Sequence, residues 1–268
     1  MLLLIFHELL YRTCVSFLAA VGFAFIFRVS GTFDVSAPAL SFLWLYFCEK
    51  YIPPFVASLA VAGSALCIWW VVFRKVSTSV ILSLACSIAV MLVAQALTTM
   101  IFGDRLIALG SLPRIFPSDT LHEIIWTGCI ALTTAGMCIV WKLQPVTRNF
   151  RSVMENSDLA RCYGIQTDRV KVAAYAAGVA CIFIAAVLWQ SETPLTSNNS
   201  AALLLYGIAI GSWGRRIGFV RMLFLAILLS AVSMGLAYRI GPVSTGISYL
   251  VCAVAMVALN RERRTADA

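Results

Sequence analysis

The chain has 268 residues, of which 61% are hydrophobic and only 12% are charged. Soluble domains carry about 25% charged residues, so lipid must solvate most of this chain. The sequence therefore predicts an all-α protein, a polytopic transmembrane helical bundle that forms one domain over residues 1–268. The net charge of +8 does not indicate nucleic acid, because the basic residues fall in short groups at the ends of apolar runs, as membrane topology requires.

Apolar runs of about 20 residues cross the hydrocarbon layer. The runs in this chain that predict full spans are residues 9–27, 52–73, 78–102, 124–141, 172–189, 201–213, 219–238 and 243–259. A shorter run at 39–47 follows a polar break, and it either crosses the membrane or re-enters. The sequence thus predicts about eight or nine membrane segments, one of them broken or re-entrant near residues 30–47. An ordered loop is expected at 105–123 and a polar tail at 260–268.

The basic residues predict the orientation of the spans. If residues 142–171 are cytoplasmic, alternation places Arg74, Lys75, the basic group at 215–221 and the C-terminal tail on the same side. The loop at 191–201 on the other side then has no basic residue. The side of the N-terminus depends on whether the short run crosses.

One polar stretch interrupts the apolar chain, "RSVMENSDLARCYGIQTDRVK" at residues 151–171. The spacing of Ser152 and Glu155 predicts a capping box, and Gly164 is a typical helix-ending residue. Thr167 or Asp168 is expected to cap the helix that follows into the membrane. The stretch is thus predicted to be an amphipathic helix, a glycine turn and a second helix. It is either a solvated connector or a docking element for a cytoplasmic partner.

The same stretch resembles the cytoplasmic coupling segment of ABC transporter permeases of the branched-chain amino acid type. The residues that match in order are Arg151, Glu155, Ala160, Gly164, Ile165, Asp168, Arg169, Val170 and Lys171. The resemblance implies that residues 146–170 form a coupling segment that contacts a cytoplasmic ATPase. The coupling residues that it implies are Arg148, Arg151, Glu155, Asp158, Ala160, Gly164, Ile165 and Asp168.

The resemblance also implies a function, a location and a set of partners. The chain would be a permease subunit of an ATP-driven importer in the bacterial inner membrane, with residues 142–171 and the C-terminus cytoplasmic. Its cargo would be a branched-chain or other amino acid, or a related small polar molecule. Its partners would be ATPase subunits, a second permease subunit (like or unlike), a periplasmic substrate-binding protein and membrane lipid. ATP and Mg would bind to the ATPase, and this chain would bind no cofactor directly.

Two further regions resemble the same family. "FIFRVSGTFDVSAPAL" keeps the phenylalanine and glycine of the family's broken region but departs from it at Arg28, Asp34 and Pro38. That region lines the path in the family, and polar groups at membrane depth are costly and tend to face a cavity. The translocation-path candidates are therefore Asp34 and Ser36 in the broken region and Gln95, Thr98 and Thr133 in the spans. Asp34 could instead cap a helix, and the threonines could instead bond neighbouring helices. "LLLYGIAIGSWGRRIG" has glycines for close helix packing, namely Gly207, Gly211, Gly214 and Gly218.

The residues argue against chemistry within the chain. No segment fits the phosphate-binding pattern GxxxxGK[ST], so ATP hydrolysis would come from a partner and the chain is not expected to be an enzyme. The nine cysteines include no CxxC, and the two histidines stand near span ends without paired acids, so neither catalytic nor metal residues are predicted. A secondary transporter or channel working alone is the alternative, although such proteins carry charged residues at mid-span and this chain has few.

Overall fold

The computed structural model describes residues 2–50, 54–76, 79–103, 128, 145–192, 199–212 and 219–240. Within these ranges the protein is helical and has no β-strand, as the sequence predicts. The first half comprises α1 (Leu2–Ala24), α2 (Ala37–Lys50), α3 (Pro54–Ile68), α4 (Arg74–Val76) and α5 (Val80–Phe102), with π-helical turns at Phe25–Val29 and Trp69–Phe73. The second half comprises α6 (Pro145–Glu155), α7 (Ser157–Cys162), α8 (Thr167–Glu192), α9 (Asn199–Ser212) and α10 (Phe219–Ile240).

Four stretches of the described helices are long and apolar enough to cross a membrane. They are Ile5–Val29, Val56–Val76, Val80–Phe102 and Thr167–Gln190. Shorter apolar helices cover Ala37–Phe47, Ser200–Gly211 and Met222–Leu236. The predicted spans at 124–141 and 243–259 lie outside the described residues, apart from residue 128. The protein is therefore a helical membrane protein, and the total of eight or nine segments stays a prediction.

Helix α1 is the centre of the described bundle and packs on α8, α9 and α10. It approaches α8 where two glycines meet, since a Cβ added at Gly22 would lie 2.6 Å from the carbonyl oxygen of Gly178. It approaches α9 at Gly207, where a Cβ would overlap the ring of Phe23. Small residues let helix backbones come this close, and the van der Waals contact that results is what holds helices together in lipid.

The predicted break between the first two helices is present. The chain passes from the π-helical turn Phe25–Val29 into an extended stretch, where Gly31 has a φ of 75°, and then into α2. The backbone N–H of Phe33 bonds to Ser83 at the start of α5, and the ring of Phe47 lies 5.1 Å from that of Phe102 at the end of α5.

The broken segment therefore runs the full length of α5. From Ser83 to Phe102 a helix rises about 28 Å. From Phe33 to Phe47, four extended steps and ten helical ones cover about the same distance. The sequence left two alternatives open, crossing and re-entry, and which of them this segment follows in the membrane stays a prediction.

Several basic residues lie at one end of the bundle, here called the hairpin end because α6 and α7 lie there. The ring of Phe25, near the end of α1, packs edge-on at 5.9 Å against Phe150 of α6. The ring of Phe73, just before Arg74, lies 5.9 Å from Tyr175, two turns into α8. The ends of α1 and α3 are thus grouped with the start of α8. Alternation predicts this for the end of α3, whereas it left the side of the first span open. Which side of the membrane this end faces stays a prediction.

Candidate functional site

The polar stretch folds as a helical hairpin, here called the polar hairpin (residues 145–166). Its first helix begins at Pro145, because a proline at the first helical position lacks only an N–H that would have no partner there. The predicted capping box is wrong, since Ser152 lies inside α6 and its hydroxyl donates to the carbonyl of Arg148 at 2.9 Å. Asn156 is the cap of α7 instead, because its Oδ1 accepts from the N–H groups of Asp158 and Leu159 at 3.0 and 3.1 Å.

Gly164 joins the hairpin to the membrane helix that follows. It adopts a φ of 80°, and its N–H donates to the carbonyl of Arg161 at 3.0 Å while the N–H of Ile165 donates to that of Ala160 at 3.1 Å. This pair of bonds closes the end of a helix in a Schellman motif. Three positions after Gly164, α8 begins at Thr167, so only a short turn, closed by these two bonds, leads from α7 into α8.

The inner face of the polar hairpin packs on the bundle. Val153 and Ala160 are 4% and 1% exposed and belong to the same apolar cluster as Phe25 and Val29. The partly buried side chains of Phe150, Met154 and Ile165 complete this contact. Of the predicted coupling residues, Ala160 and Ile165 therefore hold the hairpin to the bundle.

The outer face of the polar hairpin is exposed and mixed in character. The predicted coupling residues on it are Arg148, Arg151, Glu155, Asp158 and Gly164, and the exposed Asp168 follows in the first turn of α8. Leu159 and Tyr163 lie beside them and are 56% and 79% exposed. Their spacing of four residues puts them on one helix face, which is the signal that would have predicted them. An open pocket of about 440 Å³ adjoins this face, between Arg161 and Arg169.

A second polar site lies in the break before α2, where Asp34 is only 2% exposed. One carboxylate oxygen of Asp34 accepts from the N–H of Ser36 at 2.7 Å and from its hydroxyl at 2.5 Å. The other accepts from the hydroxyl of Tyr175 at 2.7 Å. No basic side chain of the described residues forms an ion pair with Asp34. Asp34 thus orders the start of α2, as a capping residue would, and also binds α8.

Residues at the end of α3 and at the start of α5 hold the two sides of this polar site. The ring of Tyr175 lies 4.8 Å from that of Trp69 and 5.9 Å from that of Phe73, so α3 fixes the tyrosine on one side. Ser83 of α5 holds the backbone of Phe33 at 3.1 Å. The sequence did not predict Tyr175 as a partner of Asp34, although a lone tyrosine among alanines in an apolar run is a recognisable signal.

The other predicted site residues make contacts within or between helices. Gln95 is half-buried and donates to the hydroxyl of Ser200 at 3.1 Å, which links α5 to α9. Thr98 is 6% exposed and bonds to the carbonyl of Ala94 in its own helix at 2.8 Å. A Cβ at Gly211 would lie 3.0 Å from the carbonyl oxygen of Ala20. The predicted residues Thr133, Gly214 and Gly218 lie outside the described residues.

Neither polar site has the ligands of a metal centre, because no group of three His, Cys, Asp or Glu side chains comes together in the described part of the chain. In comparisons with known proteins, the chain matches no protein-family model, no curated protein and no solved structure.

Proposed function

We propose that the protein is the permease subunit of an ATP-binding-cassette importer in the bacterial inner membrane. The observation that carries this proposal is the two-faced polar hairpin. Its inner face packs against the ends of α1 and α8, while its outer face exposes Leu159 and Tyr163 among charged side chains. A solvated connector needs neither the packing nor the exposed apolar pair.

The hairpin is connected to the buried polar site by a short and continuous route. Gly164 ends α7, α8 begins three residues later, and Tyr175 lies two turns along that helix. Tyr175 in turn holds Asp34, which orders the start of α2. A displacement of the hairpin would therefore reach the broken segment through one helix and one hydrogen bond. This route supports a mechanism in which closure of partner ATPases moves the break and changes access to the path.

The remaining parts of the proposal come from the resemblance. A second permease chain, a periplasmic binding protein and lipid complete the assembly, and ATP with Mg binds to the ATPases. The cargo is a branched-chain or other amino acid, or a related small polar molecule. The path candidates that the described residues include are Asp34, Ser36, Gln95 and Thr98, of which Asp34 and Ser36 lie in the break.

One observation favours a second candidate, a secondary transporter or channel that works alone. A carboxylate buried in a membrane bundle is costly and commonly serves ion coupling, and Asp34 is such a group. The two candidates differ in their source of energy. An importer needs ATP and a partner ATPase. A secondary transporter needs an ion gradient and requires neither ATP nor a partner.

The deciding experiment places a photo-crosslinking amino acid at Tyr163 in the native host and identifies the captured protein. The proposal expects an ATPase with a phosphate-binding loop, and expects solute uptake into right-side-out vesicles to require ATP inside them. Leu159→Glu should abolish both capture and uptake, while Gln95→Glu, on another helix, should leave the capture intact. Uptake that continues without ATP and follows an ion gradient would instead establish the second candidate.

A further inference from the structure

The end of α3 carries basic residues beside exposed apolar side chains. In the π-helical turn, Trp69 and Phe73 are buried, whereas Trp70 and Val71 are 61% and 66% exposed. The guanidinium of Arg74 lies over the ring of Trp70, 4.4 Å from its centre. This cation–π contact fixes the arginine against an outward apolar surface, so the charge is already positioned before any ligand arrives.

Arg74 and Lys75 end the span that α3 begins, and Lys171 of α8 adds a third cation at the same end of the bundle. Lys171 precedes Tyr175 by one helical turn and therefore shares its face. Because the ring of Tyr175 lies between those of Trp69 and Phe73, this face of α8 is turned towards the end of α3. Lys171 is half-buried, and both Arg74 and Lys75 are exposed. Arg74 and Lys75 directly follow Phe73, and Lys171 lies one turn before Tyr175, so the three cations lie at the same end of these two neighbouring helices.

The surrounding acids do not neutralise these charges. In the part of the chain that the structure describes, no acidic side chain forms an ion pair with Arg74, Lys75 or Lys171. Asp168, the acid in the first turn of α8, is 3.8 Å from Arg161 of the polar hairpin. An anion at this point would therefore meet positive charge with little competition.

We infer that Arg74, Lys75 and Lys171 bind the phosphate headgroup of an anionic phospholipid, whose acyl chains lie along Trp70 and Val71. The residues belong to the ends of two spans, Val56–Val76 and Thr167–Gln190, which is the depth of the headgroups. The exposed surface continues along α3 to Leu59, which is 58% exposed. A free phosphate has no use for this apolar surface, whereas a phospholipid matches both parts. The inference does not depend on the proposed transport function.

The test measures which lipid lies next to Trp70. The purified protein is placed in phosphatidylcholine vesicles that contain brominated phosphatidylglycerol or brominated phosphatidylcholine, and bromine quenching of tryptophan fluorescence is recorded. Subtraction of the signal of Trp70→Phe isolates the contribution of this ring. The wild-type protein should prefer phosphatidylglycerol, and each basic residue near a membrane surface changes the preference about fivefold. The double variant Arg74→Gln, Lys171→Gln should therefore show a preference for phosphatidylglycerol that is about 25-fold weaker.

The controls separate this site from general attraction. Arg148→Gln removes one exposed charge from the polar hairpin and should keep the preference, and Lys75→Gln should reduce it about fivefold. Equal quenching by the two lipids, or an unchanged preference in the double variant, would overturn the inference. An equal loss in Arg148→Gln would overturn it too, because the attraction would then belong to the whole end of the bundle. Displacement of the lipid by millimolar inorganic phosphate would show a free-anion site instead.

Discussion

The hydrogen bond between Tyr175 and Asp34 offers the sharpest test of how the broken segment is held. Tyr175→Phe removes the hydroxyl that donates to the carboxylate at 2.7 Å and keeps the ring between Trp69 and Phe73. The packing of the ring is therefore preserved, and the measured effect belongs to the bond. Asp34 keeps its two donors from Ser36, so the carboxylate loses one of three partners.

The size of the effect follows from the burial of the pair. Hydrogen bonds to charged groups contribute about 1.5–3 kcal/mol, and a buried acceptor that loses its donor costs about as much. Both side chains are nearly inaccessible, with Asp34 at 2% and Tyr175 at 0% exposure, so water cannot replace the hydroxyl. We expect Tyr175→Phe to lower the free energy of unfolding by about 2 kcal/mol.

The assay is reversible unfolding in mixed micelles, followed by circular dichroism, within a double-mutant cycle. Asp34→Ala and Tyr175→Phe should show an interaction energy of about 1–2 kcal/mol, because each change removes one partner of the same bond. Tyr206→Phe is the matched control, since its hydroxyl pairs with the neutral hydroxyl of Ser233 at 3.2 Å, and it should cost about 1 kcal/mol or less. Strictly additive losses at Asp34 and Tyr175 would refute the reasoning.

Three further predictions concern backbone geometry. Gly22→Ala should lower the free energy of unfolding by about 1–3 kcal/mol, because the added Cβ meets the backbone of α8 at 2.6 Å. Gly63→Ala, whose Cβ would have no atom within 4 Å, should be neutral or stabilising in the same assay. Similar losses in the two variants would contradict the close packing at Gly22. Gly164→Ala should cost about 1–2 kcal/mol because its φ is 80°, and a neutral result would contradict the strained turn. Asn156→Ala should cost about 1 kcal/mol through loss of the helix cap, detected as faster amide exchange in α7, and unchanged exchange there would count against the cap.

The helices were predictable where a local property determines them. The run predicted at 78–102 becomes α5, Val80–Phe102, because length and apolarity alone decide whether a segment can span a membrane. The break after α1 was predictable for the same reason, since polar residues and Gly31 interrupt the apolar run there. The end of the polar hairpin at Gly164 followed from the need of a helix end for a positive φ.

The start of the polar hairpin was not predicted, because two local signals compete there. Ser152 and Glu155 have the spacing of a capping box, but Pro145 starts the helix seven residues earlier, and a residue inside a helix cannot cap it. The serine hydroxyl then bonds to Arg148 within the helix. The same shift makes Asn156 the cap of α7, a role that the spacing rule assigned to another residue.

Contacts between distant segments could not be predicted from the sequence, for a different reason. Periodicity shows which residues share a face of one helix, but it does not show which helix packs on that face. Gly22 and Gly178 each look like ordinary small residues in an apolar run, and only the crossing of α1 and α8 makes both of them necessary. The partner of Asp34 was hidden in the same way, because Tyr175 is 141 positions away.

These long-range contacts give the two polar regions of the sequence a common explanation. Both lie against α8. The inner face of the polar hairpin shares an apolar cluster with Val170 and Ala174 of α8, and the break binds the third turn of α8 through the bond between Asp34 and Tyr175. Since α8 also packs along α1 at the Gly22 contact, a rotation or shift of α8 cannot leave either polar region unchanged. Loss of the Tyr175 hydroxyl should therefore affect the break while leaving the hairpin folded, and amide exchange at residues 31–36 and in α7 would distinguish the two.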